Sequence, residues 1–235
     1  MRALAKQKGI ITEYRSYYLP MHFPVLLLSG DYWKISDVPS GRLHFHNCLE
    51  IGICHSESGT IEFLGEPLAF RAGDITVIPK NVPHTTYSTP GTESHWSYIY
   101  LDPRELFKNM LPATWKNYDF SINAGSPHAF SPILSGSEYP QVYQLVTAAI
   151  RELEEQRPSY QLSAKGLLLA LYIELQRIEA SEKTENSAAG RAAEGSCAER
   201  DEDRENALVI APALDYIEEN YSSQFTIEYL ADLCH

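Results

Sequence analysis

With 235 residues, of which 44% are hydrophobic and 11% aromatic, the chain can fill one large or two small cores, which excludes wholesale disorder. Nineteen lysines and arginines against thirty-one acidic residues leave a formal charge of −12, the wrong sign for a chain that coats nucleic acid unaided. The longest apolar runs, 24–28 and 167–173, fall well short of the ~20 residues that span a bilayer, so no membrane partner is expected. Residues 1–10 carry Arg2, Lys6 and Lys8 but no apolar stretch with a small-residue cleavage site, so no secretory signal is read and a cytoplasmic location is expected. Cys48, Cys54, Cys197 and Cys234 form no C-x-x-C pair, which argues against a disulfide framework and a cysteine zinc site.

In chain order, residues 10 to about 102 read as strands separated by turns such as Ser29-Gly30-Asp31, Pro39-Ser40-Gly41, Ala72-Gly73-Asp74 and Pro90-Gly91. Turns at such regular spacing predict a mainly β sandwich or barrel. From 102 to 139 scattered prolines weaken the pattern, which predicts short helix and loop. Residues 141–156 place Val142, Leu145, Val146, Ala149, Ile150 and Leu153 on one stripe and end at Pro158, an amphipathic helix. Residues 161–179 carry a wider apolar set from Leu162 to Ile178, which predicts burial on more than one side and a dimer contact through the helix pair. Residues 179–206 hold nine acidic and four basic residues among Ser, Ala, Gly and Asn, the composition of a flexible acidic linker. From 207 a helical pattern resumes, and a second helix begins after Thr226, a good N-cap. The sequence stops at His235 inside that pattern, so it reads as a fragment with an incomplete last domain.

The chemistry concentrates in two stretches. In Gly41-Arg42-Leu43-His44-Phe45-His46-Asn47-Cys48-Leu49-Glu50 two histidines and a carboxylate occupy even positions, which on one strand would put all three on one face. The second stretch, Gly73-Asp74-Ile75-Thr76-Val77-Ile78-Pro79-Lys80-Asn81-Val82-Pro83-His84, supplies a third imidazole. Together His44, His46, Glu50 and His84 make an N/O donor set that suits a divalent transition metal such as iron, nickel, zinc or manganese.

These stretches resemble the two cupin motifs, a glycine before H-x-H with a later Glu and Gly59, and G-x5-P-x-G-x2-H with Asn81 where glycine is usual. Asn tolerates the left-handed backbone such a turn needs. The resemblance implies a cupin-like (double-stranded β-helix) barrel over 10–102, with helices 141–156 and 161–179 completing a 10–178 unit. The order of motifs, helix pair, linker and the segment Ala213-Leu214-Asp215-Tyr216-Ile217 with Phe225-Thr226-Ile227-Glu228-Tyr229-Leu230-Ala231 is similar to AraC-family transcriptional regulators. That similarity implies a non-enzymatic regulator: a small polar effector in the barrel, a homodimer, and DNA bound by the full-length protein. Residues 207–235 would be the first part of its helix-turn-helix domain, with Leu230 and Ala231 as a packing pair and the recognition helix absent.

Several readings stand side by side. His44, His46, Glu50 and His84 could hold a metal, contact an effector directly, or serve only the barrel's hydrogen bonding; the regulator reading requires no cofactor. On the following strand, Trp96, Tyr98 and Tyr100 share one face, where Trp96 and Tyr98 are candidates to stack on an effector or are simply core. Cys48 shares the parity of His46 and Glu50 and is expected to be buried and inert. The rival function is a metal-dependent cupin enzyme of dioxygenase or isomerase type.

Overall fold

A computed structural model describes residues 11–63, 65–110, 120, 122, 131–189 and 210–234. Ten strands precede the first helix: β1 (Ile11–Arg15), β2 (Val25–Leu28), β3 (Lys34–Ile35), β4 (Arg42–His46), β5 (Leu49–Cys54), β6 (Ser58–Phe63), β7 (Glu66–Arg71), β8 (Asp74–Ile78), β9 (His84–Ser88) and β10 (Ser94–Leu101). Then come α1 (Pro103–Phe107), β11 (Ile133–Ser135), α2 (Pro140–Glu155), α3 (Tyr160–Ala189), α4 (Ala211–Asn220) and α5 (Ile227–Asp232). The strands form two facing sheets, β1-β4-β9-β6-β7 and β11-β8-β5-β10-β2, with β3 added to β10. Pairing is antiparallel apart from β1 with β4. This is the mainly β architecture expected from the turn spacing and the cupin-like barrel implied by the motif resemblance.

The second sheet decides where the two cores lie. Every residue of β5, Leu-Glu-Ile-Gly-Ile-Cys, is buried, because one of its faces meets the helices and the other meets the opposite sheet. On the helix side Ile51, Ile53, Ile75, Val77 and Ile99 join Val146 and Ile150 of α2 and Leu168, Leu171 and Leu175 of α3. On the inner side the register sets Glu50 opposite Tyr100, Gly52 opposite Tyr98 and Cys54 opposite Trp96, so these side chains share the barrel interior. Phe70 of β7 reaches them from the first sheet, its ring 4.8 Å from Trp96.

The helix of 141–156 is observed as α2, started by Pro140 and closed by a left-handed Gln156 whose N–H returns to the Glu152 carbonyl. Three expectations need correction. The stretch 102–139 was read as helix and loop, yet Ile133–Ser135 forms a strand on β8, a pairing too short to leave a pattern and fixed by its neighbour. The helix predicted for 161–179 runs on to Ala189, into the segment read as linker, because Ala and Glu are strong helix formers even without an apolar stripe; residues 190–209 lie outside the described residues. Nor is α3 buried on several sides: Ala164, Leu168, Leu171 and Leu175 face the core, whereas Leu162 is 70% exposed.

Gly166 sits on the exposed side of α3, where an added Cβ would meet nothing within 4 Å. Gly166→Ala should therefore raise stability by about 0.5–1 kcal/mol, from helix propensity alone, read as a higher urea midpoint at unchanged slope. A lower midpoint would show that the position needs glycine for a reason other than space.

Residues 210–234 form a short helical pair. Pro212 lies in the first turn of α4, and the Thr226 hydroxyl caps α5 by accepting the Tyr229 N–H at 3.2 Å, as its sequence position predicts. Tyr216 packs against Phe225 and Tyr229. Leu230 is half-buried and Ala231 exposed. Among the described residues no helix is long and apolar enough to cross a membrane.

Candidate functional site in the barrel interior

Strand β4 ends at His46, and after Asn47 and Cys48 the chain enters β5, a strand of the other sheet. The expectation that His44, His46 and Glu50 share one strand face is thus corrected. The two histidines lie on one face of β4, and Glu50 approaches from the facing wall because the chain has crossed the barrel between them. His84 opens β9, directly opposite His44 in the ladder.

Three of the four sequence-predicted ligands converge. His46, Glu50 and His84 are 0, 4 and 1% exposed, and one donor atom from each lies within 4.8 Å of the other two. The Glu50 Oε2 atom is 3.0 Å from His46 Nε2 and 3.6 Å from His84 Nε2. His44 stands outside this group, its ring centroid 4.2 Å from that of His84 and 6.4 Å from that of His46. Burial, then the neighbouring His84, push its imidazole down to about 2, so it is neutral at physiological pH.

The second nitrogen of each ring settles the chemistry of the first. His46 Nδ1 is 2.9 Å from the Cys48 carbonyl oxygen and His84 Nδ1 is 3.0 Å from that of Val82. A carbonyl only accepts, so both Nδ1 atoms carry the proton, and a neutral ring then aims a bare Nε2 lone pair at Glu50. Burial raises the Glu50 carboxyl, but the close approach of His46 and His84, cationic partners once a proton sits on Nε2, outweighs it and holds the group well below the ordinary carboxylate range. Lone pairs facing a carboxylate repel unless a cation lies among them, whether a proton on one imidazole or a metal ion. The donor set fits an ion. Ligand bonds of about 2.0–2.2 Å at octahedral to tetrahedral angles put neighbouring donors about 2.8–3.6 Å apart, a range that includes both separations of Glu50 from the histidines. Nδ1–H bonds to backbone carbonyls are also how ligating histidines are commonly oriented.

The turn before His84 is built as the motif requires. Asn81 takes φ +63°, the left-handed conformation that asparagine tolerates, and its N–H donates to the His46 carbonyl at 2.8 Å. This ties the β8–β9 turn to the end of β4.

The aromatic candidates Trp96 and Tyr98 lie with Tyr100 in one buried cluster. Trp96 is 1% exposed, donates its indole N–H to the Ser94 hydroxyl at 2.8 Å, stacks on Tyr98 and meets Phe70 edge-on. Tyr98 lies across Gly52, and its hydroxyl is pushed well up by burial and then by the nearby Glu50 charge, so it borders the site. Tyr100 comes nearer, its ring edge-on to His46 at 5.5 Å. Tyr17, which the sequence reading missed, stacks on Tyr100 with centroids 4.2 Å apart and donates its hydroxyl to that of Tyr100 at 3.4 Å. Eighty-three residues separate the pair, and no local pattern signals such a contact.

Cys48 and Cys54 are both buried, as expected of Cys48. Burial pushes the Cys54 thiol up to about 12, and the thiolate is the reactive form. Iodoacetamide at pH 8 should therefore leave Cys54 unmodified in the folded protein and alkylate it after unfolding, as read by peptide mass spectrometry; rapid native labelling would refute the packed thiol.

Comparison with known proteins adds a family. The AraC-like ligand binding domain matches residues 37–172. No curated protein sequence matches the chain. Among solved structures, the AraC-like transcriptional activator CuxR is similar at 16% identity over 80% of this chain and 56% of its own, with a TM-score of 0.37. A Cupin 2 conserved barrel domain protein from Salinispora arenicola CNS-205 is similar at 17% identity over 37% of this chain and 84% of its own, TM-score 0.29. The Clostridium difficile EutQ protein is similar at 18% identity over 29% of this chain, TM-score 0.25, and the alignment spans about half of it, 51%. The family match takes in the crossover, all three histidines, Glu50 and most of the helix pair in one alignment covering more than half of the sequence, and the chain belongs to the AraC-like ligand-binding domain family.

Proposed function

We propose that this chain is the sensing part of a transcription regulator. Its barrel takes a small polar metabolite, a carbohydrate being the first class to test, and it does so without catalysing a reaction. The carrying observation is a buried polar cluster, His46–Glu50–His84, beside aromatic rings inside a barrel of this family, since a few convergent polar groups among apolar ones give a ligand orientation and specificity. His44 and Tyr98 complete the contact set in this reading, with Trp96 behind them as core. Residues 10–178 form the sensor and 179–206 the connection to a DNA-binding part that begins at 207 and has Leu230 and Ala231 as a packing pair. The exposed apolar side of α3 around Leu162 is the dimer contact, and the protein works in the cytoplasm. An effector controls DNA binding only if it favours one arrangement of the dimer over another, because equal affinity for both shifts nothing.

The test pairs a thermal-shift screen of sugars and other polar metabolites with operator binding by the full-length protein. A compound that raises the melting temperature and changes operator affinity supports the reading. If no compound in a broad panel alters operator affinity, the sensor reading fails.

A second reading is favoured by the two Nε2 lone pairs and the donor spacing described above. In it His46, Glu50 and His84 hold a divalent transition metal, which would supply Lewis acidity at the barrel centre, while the Nδ1–H bonds to Cys48 and Val82 keep both rings turned inward. Stoichiometric metal with substrate turnover would move the assignment to a cupin enzyme of dioxygenase or isomerase type. Metabolite binding by a dimer free of metal would remove it.

A further inference from the structure

One side chain outside the donor set holds part of the site in place. Asn47 stands in the two-residue passage between His46 and β5, and its amide grips a single residue thirty positions earlier. Its Oδ1 accepts the Tyr17 N–H at 2.9 Å and its Nδ2 donates to the Tyr17 carbonyl at 3.3 Å. A side-chain amide bonded to both backbone groups of one residue replaces a neighbouring strand, so the backbone of Tyr17 is fixed although it lies in no ladder. The ring that this backbone carries stacks on Tyr100 and stands 5.9 Å from His46, edge to face. The neighbouring Tyr18 and Met21 are 92 and 86% exposed, so the segment that continues past Tyr17 toward β2 gains little anchorage from them.

We propose that Asn47 is a positioning residue that pins Tyr17 as the closing wall over the His46–Glu50–His84 cluster and thereby sets access to it. The inference rests on that cluster being the binding site. The coupling is local: Asn47 is covalently next to His46, so the wall and the donor it covers are carried by one turn.

The experiment needs no ligand and is run on the whole chain. Diethyl pyrocarbonate, which acylates accessible imidazole nitrogens, is applied at pH 7, and the rates at His46 and His84 are read by peptide mass spectrometry with the exposed His22 as internal reference. Loss of both amide hydrogen bonds in Asn47→Ala should raise those rates on the order of tenfold or more and leave His22 unchanged. Tyr17→Ala should raise them equally, whereas Tyr17→Phe, which keeps the ring and the backbone grip, should stay within about twofold of the parent. Hydrogen exchange in β5 and β10 reports whether each barrel remains folded. If Asn47→Ala does not fold, Asn47→Asp replaces it: the carboxylate still accepts the Tyr17 N–H but repels its carbonyl, and acceleration is again expected. Parental rates in a folded Asn47 variant overturn the proposal, as does acceleration by Asn47→Ala without acceleration by Tyr17→Ala. Because no effector is involved, an unsuccessful metabolite screen and an unchanged acylation rate are separate failures.

Discussion

Glu50→Ala is expected to cost the barrel about 3–5 kcal/mol and to lower the affinity of any cation or polar ligand at its centre by at least about a hundredfold. The carboxylate faces His46 Nε2 at 3.0 Å and His84 Nε2 at 3.6 Å in a space almost closed to water. Deleting it leaves both nitrogens without a partner and opens a hole between the sheets, and each effect alone is destabilising. Glu50→Gln separates the two consequences. Both histidine Nδ1 atoms donate to backbone carbonyls, so a glutamine amide can donate N–H to the waiting Nε2 lone pairs while filling the same volume. That variant should keep its urea midpoint near the parent value and still lose most of its affinity for Co2+ or Zn2+, followed by equilibrium dialysis. Retained metal affinity in a folded Glu50→Gln protein would mean that the charge at this position is not what holds the ion.

The second large effect is expected at a residue with no side chain. Gly59 of β6 lies opposite Phe70 on one flank and Ser88 on the other, and a Cβ there would press into the Tyr87 carbonyl oxygen while standing 2.6 Å from Phe70 Cζ and 2.7 Å from Ser88 Cα. Two of these neighbours are backbone atoms of a hydrogen-bonded strand, so relief requires parting β6 from β9. Gly59→Ala should cost about 3 kcal/mol or more, a fall in melting temperature of roughly 6–12 °C for a chain of this size. A midpoint within about 2 °C of the parent would show that the two strands can separate without loss. The glycine that completes the first motif is thus retained by strand approach rather than by turn geometry.

Much of this arrangement was legible before any coordinates. The strand region, the helix 141–156 and the Thr226 cap follow from turn spacing, apolar stripe and cap chemistry, all local signals. His46, Glu50 and His84 do converge, but not for the geometric reason the sequence offers. Parity along an assumed single strand put His46 and Glu50 on one face, with His84 added from the second motif, whereas a two-residue crossover sends Glu50 into the opposite sheet, and the facing of the two walls restores the convergence. The same parity included His44, which the real geometry leaves beside the group. Alternation put Trp96 and Tyr98 on one inward face, and both do lie in one buried cluster, but it could not show that the Ser94 hydroxyl and the Phe70 ring engage only the first. Tyr17 was invisible because its partners are thirty and eighty-three residues away, and β11 because three residues carry no period. The continuation of α3 to Ala189 was hidden by composition that reads as solvated chain but is rich in helix formers.

The crossover between β4 and β5 makes the polar cluster a strut between two walls rather than a patch on one. His46 hangs from the first sheet and Glu50 from the second, and the outer surface of the second sheet is the seat of α2 and α3. An occupant that shortens or lengthens that strut must move one wall against the other, and a close-packed interior passes such strain on instead of absorbing it. The centre of the barrel and the seat of the helices are thereby parts of one strand, since Glu50 faces the cluster while its neighbours Ile51 and Ile53 pack toward α2 and α3.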